Sequence, residues 1–306
     1  MVKTKHVFDS DFFREEERYG FYIKRWKKEV WAVELDLLYE LDRVCRELGV
    51  QYCLSNGSLI GAVRDGHFIP WDDDVDVMML RKDYDILVSQ GPACFEHPFF
   101  LQTGYTDRRY ARGHSQLRNS ETCAARPTEI DVVPFNQGIF IDIFVLDGID
   151  DSRVESQIAR SQQCKRDMVA IEREIRGLSP RSIAQRIRKR YLAARYGDTA
   201  GVYRAWENIF RSVDADEVEN LMFRRKGATI YRYKKEWFST VQYIPFEDGV
   251  FPVPGNYDRV LAVRYGEDYL VPKRIVTTHG KMGELIFDVD RSYKQVIEDR
   301  KSNKVD

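Results

Sequence analysis

The stretch Ile69-Pro-Trp-Asp-Asp-Asp-Val-Asp-Val-Met-Met79 constrains this chain more than any other. It holds four acids in five positions and runs straight into an apolar segment. On a strand, alternate side chains share a face. A strand over Val75–Leu80 then sets Asp72, Asp74 and Asp76 on one face and turns Val75 and Val77 toward a core. Carboxylates packed this closely repel and raise one another's pKa, so something must offset their charge. A divalent cation does so, and an all-oxygen donor set suits Mg²⁺ or Mn²⁺. A lone D-x-D is ordinarily an exposed acidic turn; the apolar continuation through Leu80 weighs against that here.

Two further signals flank this cluster. Ser55-Asn-Gly-Ser-Leu-Ile-Gly-Ala-Val-Arg64 sets small residues at the head of an apolar helix over Ser58–Arg64, behind a strand over Gln51–Ser55. Gly57 allows close backbone approach, and a helix N-terminus favours a phosphate. Asn56 or Ser58 also reads as a plain helix cap. Later, Gly138-Ile-Phe-Ile-Asp-Ile-Phe-Val-Leu-Asp147 places Asp142 inside a strand over Phe140–Leu146. A buried unpaired carboxylate is costly, so Asp142 requires a metal or a basic partner. Asp147, followed by glycine, reads as a turn residue.

The rest of the chain supplies the frame. Trp26, Val30, Val33, Leu37, Leu41, Val44 and Leu48 recur at helical spacing and Gly49 follows. They predict a helix over Lys24–Leu48, in one piece or two joined near Glu34. A helix over Lys82–Val88 and strands over Phe99–Thr103 and Ser115–Arg118 complete an α+β pattern: a mixed sheet flanked by helices. Between Arg153 and Arg195, twelve Lys and Arg face four acids, on a chain whose net charge is −1. This basic segment predicts two or three helices broken near Gly177-Leu178-Ser179-Pro180. Residues 214–219 read as the acidic start of a further short helix. Phe238–Phe251 carries Asp248-Gly249 as a hairpin signal, and Asn256–Tyr265 reads as a helix. The division expected is a catalytic core over 1–150, a basic helical insert over 151–235, and closing elements over 236–306.

Composition excludes several classes. A net charge of −1 argues against bulk nucleic-acid binding, and 43% hydrophobic residues argue against global disorder. No run of about 18 apolar residues suggests a membrane span. The N-terminus lacks an apolar signal core. Five cysteines without a C-x-x-C pair fit reduced thiols, hence a cytoplasmic expectation. The basic segment has three readings: a solvated face, favoured here; then peripheral contact with the inner face of an anionic membrane; then a groove for an anionic glycan.

Together, Ser58–Arg64, Gly66–Asp76 and Gly138–Asp147 resemble the LicD family of the polymerase-β-like nucleotidyltransferase superfamily, which includes bacterial phosphorylcholine transferases and fukutin-related proteins. Val253–Leu261 and Tyr265–Tyr269 resemble its C-terminal portion. The resemblance covers roughly residues 30–150 and 245–280 and leaves the basic helices unexplained. It implies a nucleotidyltransferase-like core that moves a phosphate-bearing group, such as phosphocholine, from a CDP-linked donor to a glycan hydroxyl, releasing CMP. Asp74 and Asp76 would hold Mg²⁺, with Asp142 as third carboxylate and base or orienter of the acceptor. Gly57 and Ser58 would lie against the donor phosphates. Arg64 and Arg118 are candidate phosphate clamps. His279 lies where the family often carries a histidine, and His67 is a weaker candidate. Val145 stands where the family usually has proline. The competing readings are an NTP-using nucleotidyltransferase, a D-x-D glycosyltransferase and a non-catalytic protein that binds anionic glycans.

Overall fold

The computed structural model of the protein describes residues 3–133, 135–273 and 285–302. A short antiparallel pair, β1 (Glu16–Arg18) and β2 (Phe21–Ile23), leads into α1 (Arg25–Leu48). The apolar periodicity carries α1 through Glu34 without a break, and Gly49 ends it in the left-handed region at φ 66°. Its buried face, including Val30, Val33, Leu37 and Val44, packs over the sheet.

β3 (Cys53–Leu54), α2 (Asn56–Asp65), β4 (Asp76–Leu80) and α3 (Arg81–Gln90) follow in order. Next come β5 (Phe99–Gln102), β6 (Ser115–Asn119), β7 (Cys123–Ala125) and β8 (Ile139–Gly148). β8 organises the seven-stranded mixed sheet. It pairs parallel with β4 and antiparallel with β6, and β5 pairs with β6. β3 closes the other side against β4. The expected α+β architecture is therefore present. Val75 and Val77 are buried as expected, but the strand begins at Asp76, so Asp72 and Asp74 belong to the loop ahead of it.

The basic segment forms α4 (Val154–Glu172) and α5 (Pro180–Tyr196), and α6 (Thr199–Glu207) follows it. Ile158 and Met168 of α4 and Tyr203 and Trp206 of α6 enter the same apolar cluster as the sheet. Residues 214–219 do not start a helix: β9 (Glu217–Glu219) pairs with the end of β8 and with β10 (Tyr233–Lys234). Its acids find cations there, Glu217 on Arg232 and Glu219 on Arg224, so sheet pairing overrides the local helix signal.

The hairpin β11 (Val241–Phe246) and β12 (Gly249–Pro254) turns at Glu247-Asp248. α7 (Tyr257–Tyr265) follows, then β13 (Ile286–Asp288), which pairs with β7, and α8 (Tyr293–Ser302). Asp147 is not a turn residue. It is buried within β8 and takes two hydrogen bonds from Arg81, at 2.7 and 2.8 Å. Arg81, beginning α3, is the cation that lets an acid occupy that position.

Candidate functional site

Register brings the acids together. β4 and β8 run parallel with Asp76 paired to Asp142, and the Asp142 N–H donates to the Val75 carbonyl at 2.8 Å. Adjacent strands lie about 4.8 Å apart, so the two carboxylates share one face of the sheet. Asp74 joins them from the loop. Asp74, Asp76 and Asp142 each offer an oxygen within 4.8 Å of the others, and Asp72, Asp73 and Asp74 form a second such group.

The loop that carries these acids is pinned on both sides. Trp31 stacks on Phe68 with ring centroids 4.6 Å apart, and Lys27 Nζ donates to the Pro70 carbonyl at 2.5 Å. From the hairpin turn, Glu247 accepts from the Phe68 N–H at 2.9 Å. The head of α2 is fixed to the same place. Ser55 takes the cap position, leaving Ser58 Oγ to accept from the Asp76 N–H at 2.9 Å. Asn56 opens the helix at φ 44° and its side chain bonds to Asp76. A Cβ at Gly57 would collide with the Asp72 carboxylate, so glycine is what allows that loop and helix to meet.

The electrostatics divide the acids. Burial and the neighbouring carboxylates push Asp74 and Asp76 well above the usual carboxylate range. Burial and Asp73 push Asp72 to about 7, against the pull of Lys27. Asp142 behaves differently: burial pushes it up, but His114 and Gln116 hold it below its ordinary value. Gln116 Nε2 donates to Asp142 Oδ1 at 2.6 Å, and His114 Nε2 lies 3.3 Å from the same oxygen. His114 is enclosed by Tyr110, Phe144 and Phe223, and neither ring nitrogen makes a well-aligned hydrogen bond among the described residues.

A polar row crosses four strands on this face: Asp76, Asp142, Gln116 and Gln102 are successive partners. Buried Arg118 locks the row from beside it. Its Nη2 and Nε donate to Gln116 and Gln102, each at 2.5 Å, and its Nη1 to the Gly138 carbonyl, also at 2.5 Å. Burial pushes its guanidinium down to about 10. Arg118 thus reaches the acids through Gln116, with all three nitrogens engaged inside the sheet.

Arg64 and His67 are not brought to the carboxylates. Arg64 lies about 12 Å along α2 from Asn56 by helical rise; it pairs with Asp65 at 2.8 Å and covers the Tyr19 ring. His67 faces Glu247 at 3.2 Å. His279 falls outside the described residues.

Several residues had no role in the sequence reading. His114 and Gln116 sit in a segment with no motif of its own. Arg264 of α7 places its guanidinium 4.4 Å over the Tyr231 ring and pulls Asp76 against its upward shift. It is largely buried and has no ion-pair partner among the described residues. Arg224 covers the same ring at 5.0 Å and pairs with Glu219 at 2.9 Å. Lys27, which burial pushes down to about 8, and Glu34, which burial and Asp73 push up, lie buried behind the acidic loop. Their spacing on the apolar face of α1 was the available signal.

The donor set is chemically a good fit for a hard divalent cation: three crowded carboxylates, a helix N-terminus and no thiol or free imidazole among the ligand candidates. Residues 49–144 match the family model described as LicD/FKTN/FKRP, nucleotidyltransferase domain. That span holds every carboxylate of the site together with His114, Gln116 and Arg118, and leaves Arg264 outside. The chain is also similar to lipopolysaccharide cholinephosphotransferase LicD of Haemophilus influenzae. The two are 23% identical over 272 residues, covering 80% of this chain and 92% of that protein.

Proposed function

We propose, on the premise that this chain belongs to the LicD family, that it transfers a substituted phosphate such as phosphocholine from a CDP-linked donor to a glycan hydroxyl, releasing CMP. The observation that carries this reading is the meeting of Asp74, Asp76 and Asp142 at the head of α2. On this reading residues 1–150 are a nucleotidyltransferase-like core, 151–235 an insert and 236–306 its completion. The enzyme works at the cytoplasmic side on a cell-surface glycan under assembly.

Asp74, Asp76 and Asp142 would hold Mg²⁺, or Mn²⁺ in its place. Bound there, the ion supplies neutralising charge to the donor diphosphate and the departing CMP. The chain's own residues do the rest. The N-terminal amides of α2 beside Gly57 and Ser58 lie against the donor phosphates. Arg264, braced on Tyr231, adds a cation on the same side as Asp76. Asp142, kept ionised by His114 and Gln116, accepts the proton of the acceptor hydroxyl or orients it. Arg118 and Gln116 fix the direction of that carboxylate.

Calorimetry with CDP-choline, CDP-ethanolamine, CDP-ribitol, CDP-glycerol and CTP, each with Mg²⁺, tests the reading. One CDP conjugate is expected to bind in a metal-dependent way, with binding lost in Asp74→Ala and Asp76→Ala. Binding of CTP alone would replace this reading with an NTP-using nucleotidyltransferase. Absence of any cytidylate binding would overturn it in favour of a D-x-D glycosyltransferase or a glycan-binding protein.

A further inference from the structure

Helix α5 is exposed on nearly all sides. Among its seventeen residues only Leu192 is buried. Ile183 precedes Leu192 by nine residues, half a revolution at 3.6 residues per turn, so it points away from the core. Ile183, Ile187 and Tyr191 recur every four residues and are 47%, 63% and 57% exposed. Single exposed apolar residues are ordinary; an aligned stripe on one helix is not.

Charge surrounds this stripe. α5 carries six Lys or Arg and no acid. Some of these cations are occupied locally: Arg188 pairs with Asp167 at 2.7 Å, while Arg186 and Lys189 donate to carbonyls of the loop and of the end of α4. Arg190 and Arg195 are exposed, and neither has an acid within ion-pair distance among the described residues; Arg195 donates to the Tyr191 hydroxyl at 3.0 Å. Isoleucine and tyrosine on the outward line with arginine beside them is the pattern of a helix lying in a lipid interface. An RNA or glycan phosphate would answer the arginines but offer nothing to the isoleucines.

We infer that α5 docks this protein onto an anionic lipid bilayer, with Ile183, Ile187 and Tyr191 entering the headgroup boundary and Arg190 and Arg195 meeting lipid phosphates. The occupant follows from charge complementarity together with the apolar line. No helix among the described residues is long and apolar enough to cross a membrane, so the association is in-plane and reversible. The inference does not depend on the proposed reaction, and its test uses no activity.

The test is co-sedimentation of the full chain with vesicles of phosphatidylcholine mixed with phosphatidylglycerol, and with vesicles of phosphatidylcholine alone. Partitioning is expected to favour the anionic vesicles about tenfold or more and to weaken at high salt. The Ile183→Ser/Ile187→Ser pair is expected to lower it roughly tenfold, as is Arg190→Gln/Arg195→Gln. All four side chains are exposed, and an unchanged melting temperature verifies the fold of each variant. Three results would overturn the inference. One is failure to sediment with anionic vesicles at low salt. Another is binding that the isoleucine pair leaves unchanged, which reduces the effect to diffuse charge attraction. The third is a monomer–dimer equilibrium abolished by that pair, which assigns the stripe to a second copy of the chain.

Discussion

The two ends of β8 each bury an aspartate, and they treat it in opposite ways. At the C-terminal end, Asp147 meets Arg81 through two hydrogen bonds, with Glu207 also reaching that guanidinium at 3.3 Å. Its charge is answered within the protein. At the N-terminal end, Asp142 stands among further carboxylates, held down by the Gln116 amide, the nearby His114 ring and the charge of Arg112. A buried ion pair is a closed structural unit. A cluster of like charges is an open one, stable when an outside cation completes it. On the function proposed above, two acids five residues apart on one strand mark a built end and a receiving end.

The widest separation comes from removing one acid at each end. Asp76→Asn is expected to cut turnover by about 10³-fold, the scale of losing a principal electrostatic group in the transition state. In metal-free protein it should leave the urea midpoint unchanged or higher, because a repulsion is relieved. Turnover within tenfold of the parent would contradict the assignment of the receiving end. Asp147→Asn should do the reverse. It weakens the two hydrogen bonds that Asp147 accepts from Arg81, leaving that guanidinium to Glu207 and Asp85, and is expected to cost about 2 kcal/mol of stability. Turnover per folded molecule should stay within roughly twofold at this distance from the chemistry. Urea denaturation paired with single-turnover kinetics reads both.

The receiving end also has a pH signature. Asp74 and Asp76 are held above their ordinary range and Asp72 near 7, while unfolded carboxylates titrate near about 4. Between those values the folded protein binds more protons than the unfolded chain, so stability falls as pH rises. The contribution is full below about pH 4 and is lost as pH climbs through the folded values, past 7 for Asp72. Melting temperatures in chelator should therefore decline more steeply from acidic to neutral pH than those of Asp74→Asn/Asp76→Asn, which removes the contribution of those two acids and keeps that of Asp72. Mg²⁺ takes the place of the protons, so its stabilisation should be greatest at the upper end, about 2.7 kcal/mol at a hundredfold excess over Kd. A wild-type curve that runs parallel to the double variant in chelator would show that the acids do not repel as described.

The sequence made the receiving end visible because its signals are local. Four clustered acids, a small-residue helix start and one acid in an apolar strand each stand out within ten residues. The built end was misread for the opposite reason. Asp147 before Gly148 looks like a turn unless Arg81 is known to lie beside it, and only the parallel pairing of β4 with β8 puts α3's first residue there. The same limit hid His114 and Gln116, whose importance comes from a register shared with Asp142 and from no motif of their own. It also made Arg118 look like a clamp, since nothing local shows that three buried acceptors surround its guanidinium. Residues 214–219 read as helix because β9 exists only through its partners.

The finest test concerns which arginine serves the receiving end. Arg64 and Arg264 are both arginines near a helix C-terminus, but their surroundings differ. Arg64 is closed off by Asp65 and Tyr19 at the far end of α2. Arg264 lies largely buried on Tyr231, in the field of Asp76 and without an acid of its own among the described residues. Arg264 is set among tyrosines, with Tyr265 hydrogen-bonded to it and no carboxylate paired to it among the described residues, and one charge-assisted contact to phosphate is worth about 1.5 kcal/mol or more. Arg264→Gln is therefore expected to raise the donor KM about tenfold, with Tyr231→Ala following it in the same direction by releasing the brace. Arg64→Gln should leave KM within roughly twofold, its loss confined to the enclosed pair with Asp65. A KM that responds to Arg64 and ignores Arg264 would move the donor phosphates along α2, away from the acids, and would separate the carboxylate cluster from the group it is proposed to serve.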